Sequence, residues 1–179
     1  MFIHPYHPEF FWRHKGLPAI GFDRLAMLGA FEGASKVGDY ASDLAVAERV
    51  VAEARAARGP RFVFAATMEN HGPWEAGRFD GLVDPVAIFK RHLQNGDSML
   101  GRLLDAFEAW PGRVVLLFHG DHVPLLKTYA DPFPDARTDY VLLEIGQQAR
   151  KIGVPSAPRT LRIDQLTWEV LALAGFSPH

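Results

Sequence analysis

The chain has 179 residues, 48% of them hydrophobic, which is enough to bury one substantial core and predicts a single domain or a large part of one. A formal net charge of -2 and the lack of any Lys/Arg run exclude the electrostatic surface expected of a nucleic-acid-binding protein. The absence of cysteine excludes disulfides, thiolate metal sites and cysteine nucleophiles.

The first part of the chain combines an irregular segment, a helix and a short strand. The N-terminal stretch is dense in Pro, His and aromatic residues and shows little periodicity, so we expect a loop that feeds a site. Ser42 as N-cap and Asp43 as a favourable first-turn charge predict a helix that continues to about Arg58. A β-prone run from Arg61 to Thr67 then leads into a polar segment.

The second part contains two further helices and two strands. Asp84-Pro85 predicts a helix start, with a break near Asn95-Gly96 before the helix resumes towards Trp110. We expect a buried strand from Val114, another strand at residues 140–143, and a closing helix at residues 164–174. The alternation of strands and helices predicts an α/β fold whose sheet is mainly parallel and covered by helices on both faces.

The strand that begins at Val114 ends in His119-Gly120-Asp121-His122, a polar cluster with metal-binding chemistry. Asp121 offers an anionic oxygen and His122 an imidazole nitrogen, and Gly120 permits a tight turn. Two ligands make a poor site, so further ligands are expected from elsewhere in the fold. A turn in which Asp121 only caps the next element is the equally weighted alternative.

A second polar segment, residues 68–74, follows the β-prone run and places His71 between asparagine and glycine. Taken alone, this histidine also fits a simple turn residue. Arg13, taken alone, fits a solvated surface arginine. We interpret His7, His14 and His92 as surface residues and His119 as a group that orients a metal ligand.

Together the two segments resemble the sulfatase-like branch of the alkaline phosphatase superfamily, in particular lipoteichoic acid synthases and related phosphoglycerol transferases. Asn70-His71-Gly72-Pro73-Trp74 and the downstream Gly120-Asp121-His122 match family motifs in order and separation. The resemblance spans nearly the whole chain, because His4, Phe11, Arg13 and segments 21–23, 38–43 and 163–166 also fit.

The resemblance implies a set of site residues and a cofactor. Asp121 and His122 would bind a divalent cation, with Mn²⁺ or Mg²⁺ favoured and Zn²⁺ or Ca²⁺ as alternatives. The substrate-binding residues would be His4, Phe11, Arg13, His71 and Trp74. The implied substrate is a phosphate- or sulfate-bearing lipid or glycan of the cell envelope or capsule, and no nucleic acid.

The chain also departs from the family pattern. The family's Thr or Ser nucleophile and an acidic metal ligand precede the motifs seen here, so residues 1–179 are expected to form a single partial domain that lacks them. The family's membrane helices would also precede residue 1, since the chain has no apolar stretch of the roughly 18 residues needed for a span and no export signal. The missing half would lie upstream or on another chain, and the location would be the cell envelope or extracytoplasmic if the chain is part of a full-length membrane-anchored protein.

Three functions are compatible with these features. The first is a metal-dependent transferase or hydrolase of phosphoglycerol or a related phosphate or sulfate ester. The second is a non-catalytic remnant or subunit that binds an anionic glycan or a partner. The third, an unrelated metallophosphoesterase, is disfavoured because Asn70-His71 precedes Gly120-Asp121-His122, the wrong order for that fold. The first function requires that the two polar segments converge at one sheet edge.

Overall fold

The computed structural model of the chain describes residues 1–126, 135–150 and 157–176. Among these residues, a first unit contains 1–103 and 124–126, and a second contains 104–123, 135–150 and 157–176. The helices are α1 (Arg13–Ala19), α2 (Asp43–Ala56), α3 (Pro85–Glu108) and α4 (Ile163–Ala174). The strands are β1 (Phe2–Ile3), β2 (Leu25–Ala26), β3 (Lys36–Val37), β4 (Tyr40–Ala41), β5 (Phe64–Ala65), β6 (Val114–His119) and β7 (Tyr140–Ile145).

The first unit is built on a parallel sheet with the strand order β2-β1-β5. Phe2 pairs with Leu25 on one side and with Phe64 on the other. Parallel strands end at the same edge, so the residues that follow β1 and β5 emerge side by side. This edge therefore brings the N-terminal segment next to residues 68–74.

The N-terminal segment is more regular than the predicted loop. Ile3 in β1 is fully buried, and α1 begins at Arg13 after a single 3-10 turn. Residues 4–9 contain no helix or strand, as predicted, whereas β1 was missed because it contributes only two residues to the sheet, too few to produce a detectable periodicity.

Helix α2 begins as predicted, with the Ser42 side chain accepting a hydrogen bond from the backbone N–H of Ala45 at 3.1 Å. Its apolar face buries Val46 and Val51. Asp43 differs from the expected favourable surface charge, because its side chain is buried and its pKa is raised to about 7. The favourable interaction between the Asp43 carboxylate and the helix dipole is therefore opposed by the free-energy cost of removing this carboxylate from water.

Helix α3 is continuous, so the predicted break near Asn95-Gly96 was wrong. Asp84 caps its start by accepting a hydrogen bond from the Ala87 N–H at 2.7 Å. One face of the helix carries the buried residues Ile88, His92, Met99, Leu103 and Phe107. This stripe continues on both sides of Gly96, and its burial outweighs the low helix propensity of one glycine.

In the second unit, β6 and β7 form an antiparallel pair whose register runs from Val114 opposite Ile145 to His119 opposite Tyr140. All six residues of β6 are partly exposed, whereas the sequence predicted a buried strand. Helix α4 packs on β6 and ends at Gly175, which has φ 93°. The guanidinium groups of Arg113 and Arg150 both donate hydrogen bonds to the carbonyl of Leu173.

The α/β fold class predicted from the sequence is confirmed, with parallel pairing in the first unit and an antiparallel pair in the second. The helices in the described part of the chain are all too short or too polar to cross a membrane.

Candidate functional site

His4 lies at the carboxyl edge of the parallel sheet, directly after β1, and is only 2% exposed. Its Nδ1–H donates to the carbonyl of Ala66, which follows β5, at 2.9 Å. Burial lowers the pKa of His4, an effect partly opposed by the bond to Ala66 and strengthened by the charge of Arg13. The neutral ring therefore keeps a lone pair on Nε2.

This lone pair accepts a short hydrogen bond from Nη1 of Arg13. The Arg13 guanidinium also lies against two aromatic rings, 5.2 Å from the centroid of Phe10 and 5.9 Å from that of Phe11. In the described residues no carboxylate pairs with Arg13. The positive charge is thus fixed in place and left without a counterion, which suits the binding of an anion.

Phe11 reaches this position through an unusual backbone. It has φ 52°, its neighbour Trp12 has φ 54°, and neither is glycine. Such left-handed conformations are costly for residues with a bulky side chain and often mark functional segments. The ring of Phe11 is 77% exposed beside Arg13, so three predicted site residues, His4, Phe11 and Arg13, lie together.

His71 is exposed on the loop that follows β5. Its Nδ1–H donates to the carbonyl of Gly72 at 2.7 Å, and Nε2 has no hydrogen-bond partner within the described part of the chain. Its ring lies 6.2 Å from that of Tyr40, and Tyr40 lies 6.3 Å from Tyr6, which in turn lies 6.0 Å from His4. A continuous row of aromatic rings therefore joins the two predicted histidines of the first unit.

Trp74 lies beneath the same loop and is buried. Its Nε1–H donates to Oδ1 of Asn70 at 3.0 Å, and its ring packs edge-on against Phe89 at 5.3 Å. A Cβ atom on Gly72 would come within 3.2 Å of this ring, so glycine permits the close approach. The observed contacts of Trp74 are packing contacts that stabilise the loop. Its predicted contact with substrate stays a prediction.

Sequence reasoning missed a buried polar cluster under this loop. Glu69 is 1% exposed and accepts hydrogen bonds from the backbone N–H of Asp43 at 2.8 Å, from Nδ1 of His92 at 3.1 Å and from Nδ2 of Asn95 at 2.6 Å. His92 is fully buried, so its interpretation as a surface residue was wrong. The detectable signal was its position on the apolar stripe of α3, one turn after Ile88 and two turns before Met99.

The charges in this cluster are unequal. Burial works against ionisation of Glu69, but the hydrogen bonds from His92, Asp43 and Asn95 outweigh it and lower the pKa of Glu69. Burial and the nearby charge of Glu69 raise the pKa of Asp43 to about 7, although a hydrogen bond with Thr67 opposes the rise. Glu69 is therefore the anion of the cluster, and Asp43 is close to half-protonated at neutral pH.

Asp121 and His122 lie in the second unit, in the turn after β6, and both are exposed. Nδ1–H of His122 donates to the carbonyl of Val123 at 2.9 Å, so Nε2 keeps its lone pair. Nε2 lies 3.6 Å from Oδ2 of Asp121. Two tetrahedral ligands at ~2.1 Å from one cation are about 3.4 Å apart, so this pair fits a shared ion.

The remaining features of the turn support this orientation. Thr138 donates its hydroxyl to the carbonyl of Gly120 at 2.7 Å, and a Cβ on Gly120 would meet the Thr138 Cβ at 3.1 Å. Nδ1–H of His119 donates to the same Gly120 carbonyl at 2.9 Å, and its orienting role stays a prediction. In the described ranges no third His, Asp or Glu joins a metal-binding group. Convergence of this turn with the His71 loop also stays a prediction.

Comparison with known proteins decides the family. The sulfatase family model matches residues 1–176. The chain belongs to the sulfatase family. This confirms the resemblance to the sulfatase-like branch of the alkaline phosphatase superfamily.

This sulfatase-family chain is similar to a curated relative and shares its fold with a solved structure. The capsular polysaccharide biosynthesis protein RkpI of Rhizobium meliloti (strain 1021) is 42% identical over 173 residues, which cover 95% of this chain and 31% of RkpI. The crystal structure of the lipoteichoic acid synthase LtaP from Listeria monocytogenes has a TM-score of 0.62 at 18% identity, covering 79% of this chain and 42% of that one. The chain thus spans about a third of RkpI, and LtaP shows a shared fold.

Proposed function

We propose that the chain forms part of a metal-dependent enzyme that transfers or hydrolyses phosphoglycerol, or a related phosphate or sulfate ester, on envelope or capsular polysaccharide. The observation that carries the proposal is the Arg13 guanidinium, which neutral His4 fixes at the sheet edge and which has no carboxylate partner among residues 1–126, 135–150 and 157–176. The relationship to RkpI, a capsular polysaccharide biosynthesis protein, favours capsular polysaccharide as the substrate class. The same relationship is consistent with the location expected from the sequence, at the cell envelope.

Arg13 and His71 supply complementary chemistry for such an ester. A guanidinium grips two oxygens of a phosphate or sulfate at once, and its charge stabilises the negative charge that develops during transfer. Nε2 of His71 can accept a hydrogen bond from a protonated ester oxygen, because the ring proton is on Nδ1. His4 holds Arg13, and the exposed ring of Phe11 offers an apolar wall.

Asp121 and His122 would hold the cation, for which Mn²⁺ and Mg²⁺ are favoured over Zn²⁺ and Ca²⁺. The two atoms are 3.6 Å apart, close enough for both to reach one ion, and the carboxylate of Asp121 is a ligand type that suits Mn²⁺ and Mg²⁺. When bound, a divalent cation supplies Lewis-acid stabilisation of ester oxygens. The bond from His122 to Val123 fixes the ring orientation that coordination requires.

Calorimetry on the chain tests the metal assignment. Mn²⁺ should bind the wild-type chain, and Asp121→Ala should weaken binding about tenfold or more because it removes one of two ligands. Asp105→Ala, which removes an exposed carboxylate of the same unit, is the control. Identical Mn²⁺ titrations for wild type and Asp121→Ala would remove the assignment.

Calorimetry with glycerol 1-phosphate tests the anion site in the same chain. Arg13→Ala should weaken binding by roughly tenfold or more, since a charge-assisted hydrogen bond contributes about 1.5–3 kcal/mol. Arg91→Ala removes an exposed arginine of the same unit and should leave the affinity unchanged. Equal affinities for Arg13→Ala and wild type would contradict the proposal. Binding without turnover would instead favour a non-catalytic anion-binding role for these residues.

A further inference from the structure

Glu69 lies two residues before His71 and anchors the start of the loop that carries this histidine. Three donors converge on the Glu69 carboxylate, from the start of α2 and from the buried face of α3. Asp43 belongs to α2, and His92 and Asn95 belong to α3, so two helices bind the carboxylate. These bonds fix the position of Glu69, and therefore the position at which the backbone enters the loop just before His71.

Arg78 also holds this loop, through hydrogen bonds to its backbone carbonyls. Its Nη1 donates to the carbonyls of His71 at 3.1 Å and Pro73 at 3.3 Å, and its Nη2 donates to the carbonyl of Glu69 at 2.5 Å. One guanidinium thus binds three carbonyls of a loop that makes few regular backbone bonds. The bond to the His71 carbonyl fixes the backbone of the residue whose side chain faces outward.

Tyr40 contacts both the Arg78 guanidinium and the His71 ring. The Arg78 guanidinium lies 5.3 Å from the centroid of Tyr40, and the Tyr40 ring lies 6.2 Å from that of His71. Gly38, at φ 59°, makes room for the arginine, because a Cβ there would lie 2.9 Å from Cδ and Nε of Arg78. The hairpin β3-β4 therefore positions both the Arg78 guanidinium and the Tyr40 ring, which contacts His71.

We propose that Glu69 and Arg78 are positioning residues for His71, because together they hold the backbone of the loop and so keep Nδ1–H on the Gly72 carbonyl. The inference rests on the function proposed for His71 and adds the two residues that set its orientation. Their contribution is to keep Nε2 as the free nitrogen. Loss of either hold lets the loop shift and weakens the bond between His71 and Gly72.

The test is the imidazole ¹⁵N spectrum of His71 in the folded chain at pH 8, which reports which ring nitrogen carries the proton. Wild type should show the Nδ1–H form, as the 2.7 Å bond to Gly72 requires. Glu69→Gln and Arg78→Ala should each lower the Nδ1–H population at least twofold, and Arg78→Lys, which keeps one cationic donor, should be intermediate. Unchanged His71 signals in folded Arg78→Ala overturn the proposal.

Matched variants separate positioning from a general loss of stability. Glu53→Gln alters another buried glutamate, paired with Arg24 and Arg49, and should leave the His71 signals unchanged even if it destabilises the chain. Arg58→Ala, which removes an exposed arginine of the same unit, serves the same purpose for Arg78. Equal changes in these controls overturn the proposal. If Glu69→Gln does not fold, Arg78→Ala decides the outcome alone.

This readout is independent of ligand binding, so the two proposals fail differently. A wild-type chain that binds no glycerol 1-phosphate but shows the expected tautomer changes would overturn the proposed function and support the positioning of His71. A chain that binds glycerol 1-phosphate through Arg13 but has unaltered His71 signals in the variants would overturn only the positioning role.

Discussion

Replacing Asp43 by asparagine should stabilise the chain, and the gain should grow as the pH rises. The pKa of Asp43 is raised from 3.8 to about 7, mainly by burial and then by the charge of Glu69. The folded chain therefore binds the Asp43 proton more tightly than the unfolded chain, so ionisation costs stability between about pH 4 and pH 7. Asparagine keeps the shape of the side chain and removes this cost.

The magnitude follows from the difference of about three pKa units. At ~1.4 kcal/mol per unit, the full cost above pH 7 is on the order of 4 kcal/mol. At pH 5 the folded carboxyl is still protonated while the unfolded one is largely ionised, which gives a cost of about 2 kcal/mol. The gain from Asp43→Asn should therefore roughly double between pH 5 and pH 8.

Urea unfolding of wild type and Asp43→Asn at pH 5 and pH 8 measures this gain directly. The control is Asp97→Asn, which replaces an exposed aspartate on α3 and should change the free energy of unfolding little at either pH. A gain for Asp43→Asn that is equal at both pH values would refute the reasoning, because it would mean that the buried carboxyl ionises as it does in water.

Two further substitutions test the elements that hold the site. Gly38→Ala should destabilise the chain by about 1–2 kcal/mol, because φ is 59° and the new Cβ would press on Arg78. Part of this loss should disappear in the Arg78→Ala background. Full additivity of the two substitutions would contradict the contact. Ser42→Ala should cost about 1 kcal/mol by removing the N-cap of α2, whereas Ser42→Thr should retain most of the stability in the same unfolding experiment.

The sequence was informative where local chemistry decides the structure. Ser42 and Asp84 marked helix starts because their side-chain oxygens satisfy backbone N–H groups that would otherwise lack partners, and both caps are observed. The family motifs led to His4, Arg13 and His71. The structure brings His4 and Arg13 into direct contact and joins them to His71 through a row of aromatic rings.

Features that depend on tertiary packing escaped prediction. Asn95 and Gly96 favour a helix break, but the buried face of α3 and the bond from Asn95 to Glu69 keep the helix continuous. Strand β1 is only two residues long, and its place at the centre of the parallel sheet depends on partners distant in sequence. His92 is polar, so only its position among apolar neighbours on the helix indicates burial.

The most direct test of the central claim, that Arg13 and His71 bind one ester group, follows the His71 imidazole signals during titration with glycerol 1-phosphate. The account predicts that the wild-type signals move with saturation and that in Arg13→Ala the same movement requires at least tenfold more ligand. His71 signals that remain fixed while glycerol 1-phosphate binds the wild-type chain would contradict the account.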